Sequence, residues 1–355
     1  MHPAQALLLD HLHPDPAARL LLLEGGDGRL AQALAARLPA GEVVTLSRDL
    51  REVRAAQARL APLPNAAATD EVIPGALEAY DTVVLTMPKG RSYARALLLA
   101  AWHALRPGGD LFVAGPSKEG VKAVITDAER LFGNATVLAY KQHQRVARST
   151  RGSALPEPLP EGFDLPGIAP GTIHLVTLPR PESVLTLETH PGIFSWDALD
   201  EGTALLLDHL HARPGERVWD VGCGAGAIGL SAALVGTAHV AMTDVNLLAV
   251  RCARANVERN ALAGRVTVRA AEGLEGGDGT WNLIVSNPAF HQGRDVDTSM
   301  PDALIARAPA ILAPDGRLLL VANRFLAYDK AMRRHFPQVE RVAETNKFHV
   351  LEARL

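Results

Sequence analysis

The chain has 355 residues, of which 48% are hydrophobic and 21% charged, and its formal net charge at pH 7 is -3. This length exceeds what one ordinary core supports and predicts two domains, and the composition is that of a folded protein rather than a disordered or fibrous one. The near-neutral charge excludes a broad basic face as the main source of nucleic-acid affinity, so RNA contacts would have to use local patches and shape.

Only Cys223 and Cys252 could pair or bind a soft metal, and they form no Cys-x-x-Cys motif. We expect no disulfide framework, no metal and a reducing, cytoplasmic location. The first 16 residues lack a basic segment followed by a sustained apolar stretch, and no later segment reaches the length of a membrane span. The sequence predicts neither export nor membrane insertion, and it leaves the oligomeric state open, with a monomer favoured.

The first half begins with an apolar strand, Arg19–Leu23, that ends in a glycine turn at 24–28 before a helical segment at 30–38. Further strands are predicted at 42–46 and 80–85. A helix end, a turn and a strand follow over 105–113. Strands that alternate with helices in this way predict an open parallel sheet covered on both faces.

A change of composition marks the boundary between the halves. Residues 153–170 are rich in Pro and Gly, 171–178 read as a strand, and the Pro-Arg-Pro at 179–181 cannot easily continue it. We place the boundary near Arg180, which gives domains 1–180 and 181–355.

The second half repeats the order of the first. It has a strand at 217–221, a glycine turn at 222–226, a helix at 228–235 and later strands at 238–242, 281–286 and 312–320. Matches in the same order indicate an internal duplication. The predicted fold class is therefore α/β, with two tandem Rossmann-like domains.

A nucleotide-like cofactor site is predicted where the first strand of the second half meets its helix. The turn Gly222-Cys223-Gly224-Ala225-Gly226 permits close approach of a ligand to the backbone. About twenty residues later, Asp244 ends the next predicted strand and is placed to accept hydrogen bonds from ribose hydroxyls, with Val245 beside it.

The acidic residue before the glycine turn favours S-adenosylmethionine over a dinucleotide. Asp220 would repel a pyrophosphate at the helix N-terminus, whereas the cationic methionyl end of S-adenosylmethionine tolerates a carboxylate. Glu272, after a predicted strand at 266–268, is a candidate neighbour of the adenine ring, although an exposed turn is the commoner setting for a glutamate.

The segment Ser-Asn-Pro-Ala-Phe-His-Gln-Gly at 286–293 follows a strand, at the sheet edge where ligands bind. The Asn287 side-chain oxygen and the Pro288 carbonyl could accept both N–H bonds of an exocyclic base amine, with Phe290 stacked on the base. Such a transfer needs no strong base, so His291 is interpreted as a positioning residue. The alternative is structural, with Asn287 capping its own loop and Phe290 in the core.

These motifs together resemble the bacterial ribosomal RNA guanine-N2 methyltransferases, particularly the small-subunit methyltransferase C type that modifies 16S rRNA. The family has Pro-Gly-Val-Phe-Ser, Asn-Pro-Pro-Phe-His-x-Gly and Asn-x-Phe-Leu-x-Tyr segments. Here they read Pro-Gly-Ile-Phe-Ser at 191–195, leading to Asp197 and Leu199-Asp200, then Asn-Pro-Ala-Phe-His-Gln-Gly at 287–293 and Asn-Arg-Phe-Leu-Ala-Tyr at 323–328. The resemblance covers essentially the whole chain and implies 16S rRNA, in the context of the small subunit, as substrate.

One departure from the family pattern is Ala289, which replaces the second proline of the motif and should loosen the loop. Alternatives remain at this stage: 23S rRNA as substrate, adenine-N6 or protein glutamine-N5 methylation, and a non-catalytic RNA-binding assembly factor. An NAD-dependent oxidoreductase would not explain Asn287-Pro288.

The first half is predicted to lack a cofactor site. Its alignment with the second half places Leu22 at Asp220, Glu24 at Gly222, Arg48 at Asp244, and Thr86 or Met87 at Asn287. We expect it to support the fold and recognise RNA, and the candidate phosphate partners are Lys89, Lys118, Lys122, Lys141, Arg145, Arg148 and Arg151. A solvated strand or loop edge is the commoner interpretation of such a short basic run.

Overall fold

The computed structural model describes residues 1–181, 183–277, 279–288, 291–292, 295–296 and 299–355. The chain divides into two compact units. Unit 1 is Met1–Ile173 with His190–Gly192, and unit 2 is His174–Thr189 with Ile193–Leu355. Across the described residues, no helix combines the length and the apolarity that a membrane span requires.

Unit 1 is built on one sheet of seven strands in the order β3-β2-β1-β4-β5-β7-β6. Its helices are α1 (Pro3–Leu9), α2 (Arg29–Ala35), α3 (Leu50–Leu60), α4 (Arg91–Ala104) and α5 (Val121–Phe132), and its strands are β1 (Arg19–Leu23), β2 (Glu42–Leu46), β3 (Ala66–Thr69), β4 (Tyr80–Thr86), β5 (Leu105–Pro116), β6 (Thr136–Lys141) and β7 (Gln144–Thr150). Strand β1 lies inside the sheet between β2 and β4, and its four leucines, at positions 20–23, are at most 1% exposed. A continuous apolar run suits a strand that is covered on both faces.

Unit 2 repeats this sheet in the order β12-β11-β10-β13-β16-β18-β17 and adds two hairpins, β8-β9 and β14-β15. Its helices are α6 (Glu201–Asp208), α7 (Ala227–Leu234), α8 (Leu247–Arg259), α9 (Ser299–Arg307) and α10 (Tyr328–Met332), and its strands are β8 (His174–Pro179), β9 (Val184–Thr189), β10 (Arg217–Val221), β11 (His239–Asp244), β12 (Val266–Ala270), β13 (Trp281–Ser286), β14 (His291–Gln292), β15 (Asp295–Val296), β16 (Leu312–Asn323), β17 (Gln338–Glu344) and β18 (Phe348–Arg354). The duplication is therefore confirmed as two equivalent sheets.

The sheets depart from the expected parallel pattern in their last two strands. In each unit six of the seven strands run in the same direction, and the remaining one, β7 or β18, runs antiparallel to both of its neighbours. The short turns from β6 to β7 and from β17 to β18 force antiparallel pairing, since parallel neighbours need a long crossover. The helix ends expected near 105 and 312 are confirmed, because α4 ends at Ala104 and a short 3-10 helix ends at Ala310. The turn expected after each of them lies inside a strand, because β5 and β16 already begin at Leu105 and Leu312 and are irregular in their pairing there.

The change from unit 1 to unit 2 comes after Ile173, earlier than the boundary near Arg180 that composition suggested. The reason is pairing. Strand β8 is antiparallel to β9 along its whole length, and Glu188 N–H of β9 donates to Asn256 Oδ1 of α8 at 2.6 Å, so both strands belong to unit 2.

Strand registers align the two units residue by residue and correct one equivalence. The pairing of β1 with β2 and of β10 with β11 places Ser47, not Arg48, at the position of Asp244. The N-caps of the next helices, Asp49 and Asn246, agree with this register. The alignment from sequence was wrong by one residue because it began the second strand at Ala238, whereas β11 begins at His239, opposite the start of β10.

The other expected equivalences agree with the registers. The pairings of β1 with β4 and of β10 with β13 set Leu22 at the position of Asp220 and Thr86 at that of Asn287. Unit 1 thus keeps the sheet and lacks these polar side chains.

Candidate functional site

The carboxyl ends of three adjacent strands of unit 2 carry the polar residues singled out from the sequence. The strands are β11, β10 and β13, which are parallel neighbours in this order. They lead to Asp244, to the glycine loop 222–226 and to Asn287. Ligands of open α/β sheets bind at this edge, so the fold brings the predicted cofactor and acceptor groups together.

The glycine loop adopts a backbone that side chains would strain. Gly222, Gly224 and Gly226 have φ values of 74, 55 and 95°. The N–H groups of Gly222 and Cys223 donate to the Thr243 carbonyl at 2.8 and 3.0 Å. Positive φ is readily adopted only by glycine, so the loop requires its glycines in order to turn from β10 into α7.

A fourth glycine, Gly229, brings α7 against the sheet and was missed from the sequence. A Cβ placed on it would lie 2.5 Å from Met242 Sδ on β11 and 3.1 Å from Asp220 Oδ2. Its spacing after Gly226 matches the third glycine of nucleotide-binding fingerprints, which permits close packing of helix on strand.

Asp220 lies fully buried beneath the loop. Its Oδ2 accepts a hydrogen bond from Gly229 N–H at 2.8 Å, while Oδ1 has no hydrogen-bond partner among the described residues. Burial, with a smaller contribution from Asp244, raises the pKa of Asp220 to about 7 against the opposing effect of the Gly229 N–H. A buried carboxylate oxygen without a partner is stabilised by a nearby cation, which fits the cationic cofactor expected from the sequence.

Asp244 couples the end of β11 to the glycine loop. Its Oδ2 accepts from Gly224 N–H at 2.9 Å and its Oδ1 from Asn246 N–H at 2.8 Å. Each oxygen of a carboxylate can accept more than one hydrogen bond, so both can also receive a ligand hydroxyl. Asp244 is therefore fixed in orientation by the backbone that it supports.

The remaining predicted cofactor residues lie at or near this edge. Val245 follows Asp244 and is half-buried. The Cys223 thiol is 7% exposed and packs in the hydrophobic core, so only its backbone could face a ligand; burial raises its pKa. Glu272 is exposed just beyond β12, next to Ala271, whose N–H donates to the Asp244 carbonyl at 3.1 Å.

The Asn287 amide is held by two residues from α6. Its Nδ2 donates to Asp200 Oδ2 at 3.1 Å and to Thr203 Oγ1 at 2.8 Å. Asp200 is also the N-cap of α6 and accepts from Thr203 N–H at 2.9 Å. The amide nitrogen is thus turned toward α6, and Oδ1 is the atom that can accept a hydrogen bond from a substrate amine.

Part of the predicted catalytic segment lies outside the described residues. Phe290, Ala289 and Gly293 belong to that part, as does the side chain of His291, whose backbone is in β14. Pro288 is described and buried.

Two family descriptions match the chain. Residues 184–352 match the Methyltransferase small domain, and residues 16–143 match the Methyltransferase small domain N-terminal family. A relative from Pseudomonas aeruginosa (strain LESB58), named Ribosomal RNA small subunit methyltransferase C, is 35% identical over 283 residues, which cover 78% of this chain and 80% of the relative. One from Chromohalobacter salexigens with the same name is 36% identical over 276 residues, covering 76% and 77%.

The chain belongs to the ribosomal RNA small subunit methyltransferase C family. A solved structure of a T. thermophilus 16S rRNA N2 methyltransferase in complex with AdoMet and guanosine resembles this family member along its length. The TM-score is 0.82 at 27% identity, and the match covers 99% of this chain and 92% of the other.

Two further polar residues of this methyltransferase C family member support the site and were missed from the sequence. Ser286 Oγ donates to the Val221 carbonyl at 2.6 Å, which joins the ends of β13 and β10. Asn256 is fully buried on α8, and its Nδ2 donates to the carbonyls of Ala225 and Glu188, both at 2.9 Å. A polar residue on the apolar face of α8 was the signal that could have revealed Asn256.

The equivalent edge of unit 1 is filled by its own side chains. Glu24, in the place of Gly222, has φ of 53°, and its Oε1 accepts from Tyr93 Oη at 2.9 Å and from Arg48 N–H at 3.3 Å. The Arg48 guanidinium lies 4.4 Å from the centre of the Tyr93 ring and donates to the Gly192 carbonyl at 2.9 Å. Burial raises the pKa of Glu24 against the opposing effect of Arg48. This cluster stands where unit 2 has its glycine loop.

The candidate phosphate partners of unit 1 divide by exposure. Arg151 is only 8% exposed, and it pairs with Glu78 at 2.7 Å and lies over the Trp102 ring. Its expected contact with RNA is wrong, because its charge is already neutralised inside the unit. The exposed candidates are Lys89, Lys118, Lys122, Lys141 and Arg148, whereas Arg145 is half-buried.

Proposed function

We propose that unit 2 transfers a methyl group from S-adenosylmethionine to the exocyclic N2 amine of a guanine in 16S rRNA, in the context of the small subunit and in the cytoplasm. The observation that carries this proposal is the Asn287 amide, which is turned so that its oxygen can accept at the same sheet edge as the glycine loop. The names of the relatives and the AdoMet and guanosine of the solved neighbour support it.

The residues that would hold the cofactor fit its charge and shape. Asp244 would accept hydrogen bonds from the ribose hydroxyls, the backbone of 222–226 would lie against the ligand, and Asp220 would favour its positive charge. Val245 and Glu272 would be the neighbours of the adenine. S-adenosylmethionine supplies an electrophilic methyl group on a positively charged sulfur.

The acceptor side of the reaction needs orientation more than basicity. The lone pair of guanine N2 is delocalised into the ring, so the amine is a poor nucleophile. Asn287 Oδ1 and the Pro288 carbonyl accept its two N–H bonds, hold N2 toward the methyl group and stabilise the positive charge that develops on N2. The proton leaves after N2 becomes cationic, so no strong base is required. In this proposal Phe290 would stack on the base and His291 would position the segment, as predicted from the sequence.

Unit 1 contributes recognition rather than chemistry in this proposal. Its cofactor position is filled by Glu24, Arg48 and Tyr93. Its exposed lysines are available to RNA phosphates, which fix the orientation of a substrate without reading its sequence.

Mass-spectrometric mapping of rRNA from a strain that lacks this protein tests the proposal. One N2-methylguanine of 16S rRNA should be absent, and it should return with the wild-type gene but not with Asn287→Ala. Radiolabel transfer to free 16S rRNA, small subunits, 23S rRNA, DNA and release factor then identifies the substrate. Unchanged 16S methylation, or transfer only to another substrate, would overturn the assignment.

A further inference from the structure

An amide side chain can present either its oxygen or its nitrogen, and the contacts of Asn287 decide which. Both N–H bonds of Nδ2 are directed at oxygen atoms, Asp200 Oδ2 at 3.1 Å and Thr203 Oγ1 at 2.8 Å. An amide rotated by half a turn would bring Oδ1 against the Asp200 carboxylate, which only accepts hydrogen bonds. Two acceptors would then face each other, so the rotated form is disfavoured.

The two acceptors are themselves held in place by α6. Asp200 Oδ2 accepts from Thr203 N–H at 2.9 Å and from Thr203 Oγ1 at 3.4 Å, which orients both side chains. Gly202 lies between them, and a Cβ there would approach Asp200 Oδ2 to 3.0 Å and the Phe348 ring to 3.1 Å. Thr203 is 8% exposed, so solvent competes little for its hydroxyl. The N-terminal turn of α6 is a rigid support for the amide.

We propose that Asp200 and Thr203 are positioning residues that fix the Asn287 amide with Oδ1 toward the acceptor amine. This inference rests on the proposed function, since it assumes that Asn287 Oδ1 accepts from that amine. Neither residue needs to touch the substrate. Their effect on the reaction passes through Asn287, and this distinguishes them from residues that bind cofactor or RNA.

Thr203→Val in the full-length protein is the first test, because valine keeps the branched shape and removes the hydroxyl. The expected result is a fall in kcat of roughly 10- to 100-fold, the scale of misplacing a reacting group. The Kd for S-adenosylmethionine and the KM for the RNA substrate should stay within about twofold, because ground-state binding is unchanged. Thr203→Ser, which restores the hydroxyl, should recover most of the lost activity.

A double variant separates positioning from general stability. Residues that act as one unit are strongly non-additive. Single-turnover methylation should therefore be equal for Asn287→Ala and for Asn287→Ala combined with Thr203→Val. Asp200→Ala also removes a helix N-cap, so its control is Asp49→Ala, which removes the N-cap of α3 in unit 1. The control should methylate like the wild type, whereas Asp200→Ala should lose at least as much kcat as Thr203→Val.

The outcomes are distinct. If the wild type transfers no methyl group to guanine N2, the proposed function fails. If the wild type is active and Thr203→Val keeps full kcat, loses cofactor affinity instead, or adds its effect to that of Asn287→Ala, the positioning role is refuted.

Discussion

Replacing Asp220 with asparagine should flatten the dependence of the stability of unit 2 on pH. The folded protein binds the Asp220 proton more tightly than the unfolded chain does, because burial raises this pKa from 3.8 to about 7. The contribution of the bound proton to the free energy of unfolding is complete below pH 4. It is lost as the pH rises through 7. Asparagine does not titrate and cannot show this loss.

The size of the effect follows from the shift. Each pKa unit corresponds to about 1.4 kcal/mol, so the wild type should lose on the order of 3 kcal/mol of unfolding free energy from this group between pH 5 and pH 8. Asparagine keeps an acceptor for Gly229 N–H and places an amide nitrogen where Oδ1 has no hydrogen-bond partner among the described residues. Any change in stability that asparagine itself causes is the same at every pH. The test therefore compares how steeply the free energy of unfolding changes with pH in the two proteins.

Urea unfolding followed by tryptophan fluorescence, without cofactor, measures the effect. Trp102 is the one tryptophan of unit 1, so a Trp102→Phe background leaves Trp196, Trp219 and Trp281 to report on unit 2. Trp219 is fully buried beside Asp220. If the free energy of unfolding changes equally with pH in this background with and without Asp220→Asn, Asp220 does not titrate as described, and the explanation of its burial is wrong.

Three further variants test the proposed roles. Asn287→Ala should reduce methyl transfer by ~100-fold or more, because an oriented acceptor at the reacting centre is lost. The affinity for S-adenosylmethionine should be nearly unchanged. Ordinary turnover of this variant in a radiolabel assay would contradict the proposed role. Calorimetry on the full-length wild type should show one bound S-adenosylmethionine per chain. Asp244→Ala should weaken that binding by ~100-fold, because charge-assisted hydrogen bonds are lost. A second binding site would contradict the absence of a cofactor site in unit 1, and unchanged affinity would contradict the role of Asp244. The double variant Lys118→Glu with Lys122→Glu should raise the KM for RNA several-fold, because each substitution removes roughly one phosphate contact. The cofactor affinity should be unchanged. An unaltered KM would show that these lysines do not contact RNA.

Local motifs explain what the sequence could predict about this site. The glycine loop, Asp244 and Asn287 each follow a recognisable strand, and parallel strands bring their carboxyl ends together, so chain order alone placed them at one edge. The internal repeat predicted the paired sheets for the same reason. The antiparallel final strands were missed because an apolar segment does not reveal its direction.

Contacts between distant residues explain what the sequence could not predict. Asn287 and Asp200 are 87 residues apart, so no local pattern connects them. Arg151 looked like a surface cation until the fold paired it with Glu78, 73 positions away. The one-residue error at Arg48 has a different origin, since the sequence does not show whether the second strand begins at Ala238 or at His239 and only the pairing with β10 decides it.

The cluster of Glu24, Arg48 and Tyr93 bears on how the two halves can evolve. An aspartate at position 47 would place a third acidic group beside Glu24 and Glu52, and Ser47 already donates to Glu52 at 2.6 Å. Removing Glu24 alone would deprive the Arg48 guanidinium of its ion pair, and removing Arg48 alone would leave a buried carboxylate. Each of these single substitutions is therefore expected to destabilise unit 1, so a ligand site at this edge would require several coordinated substitutions.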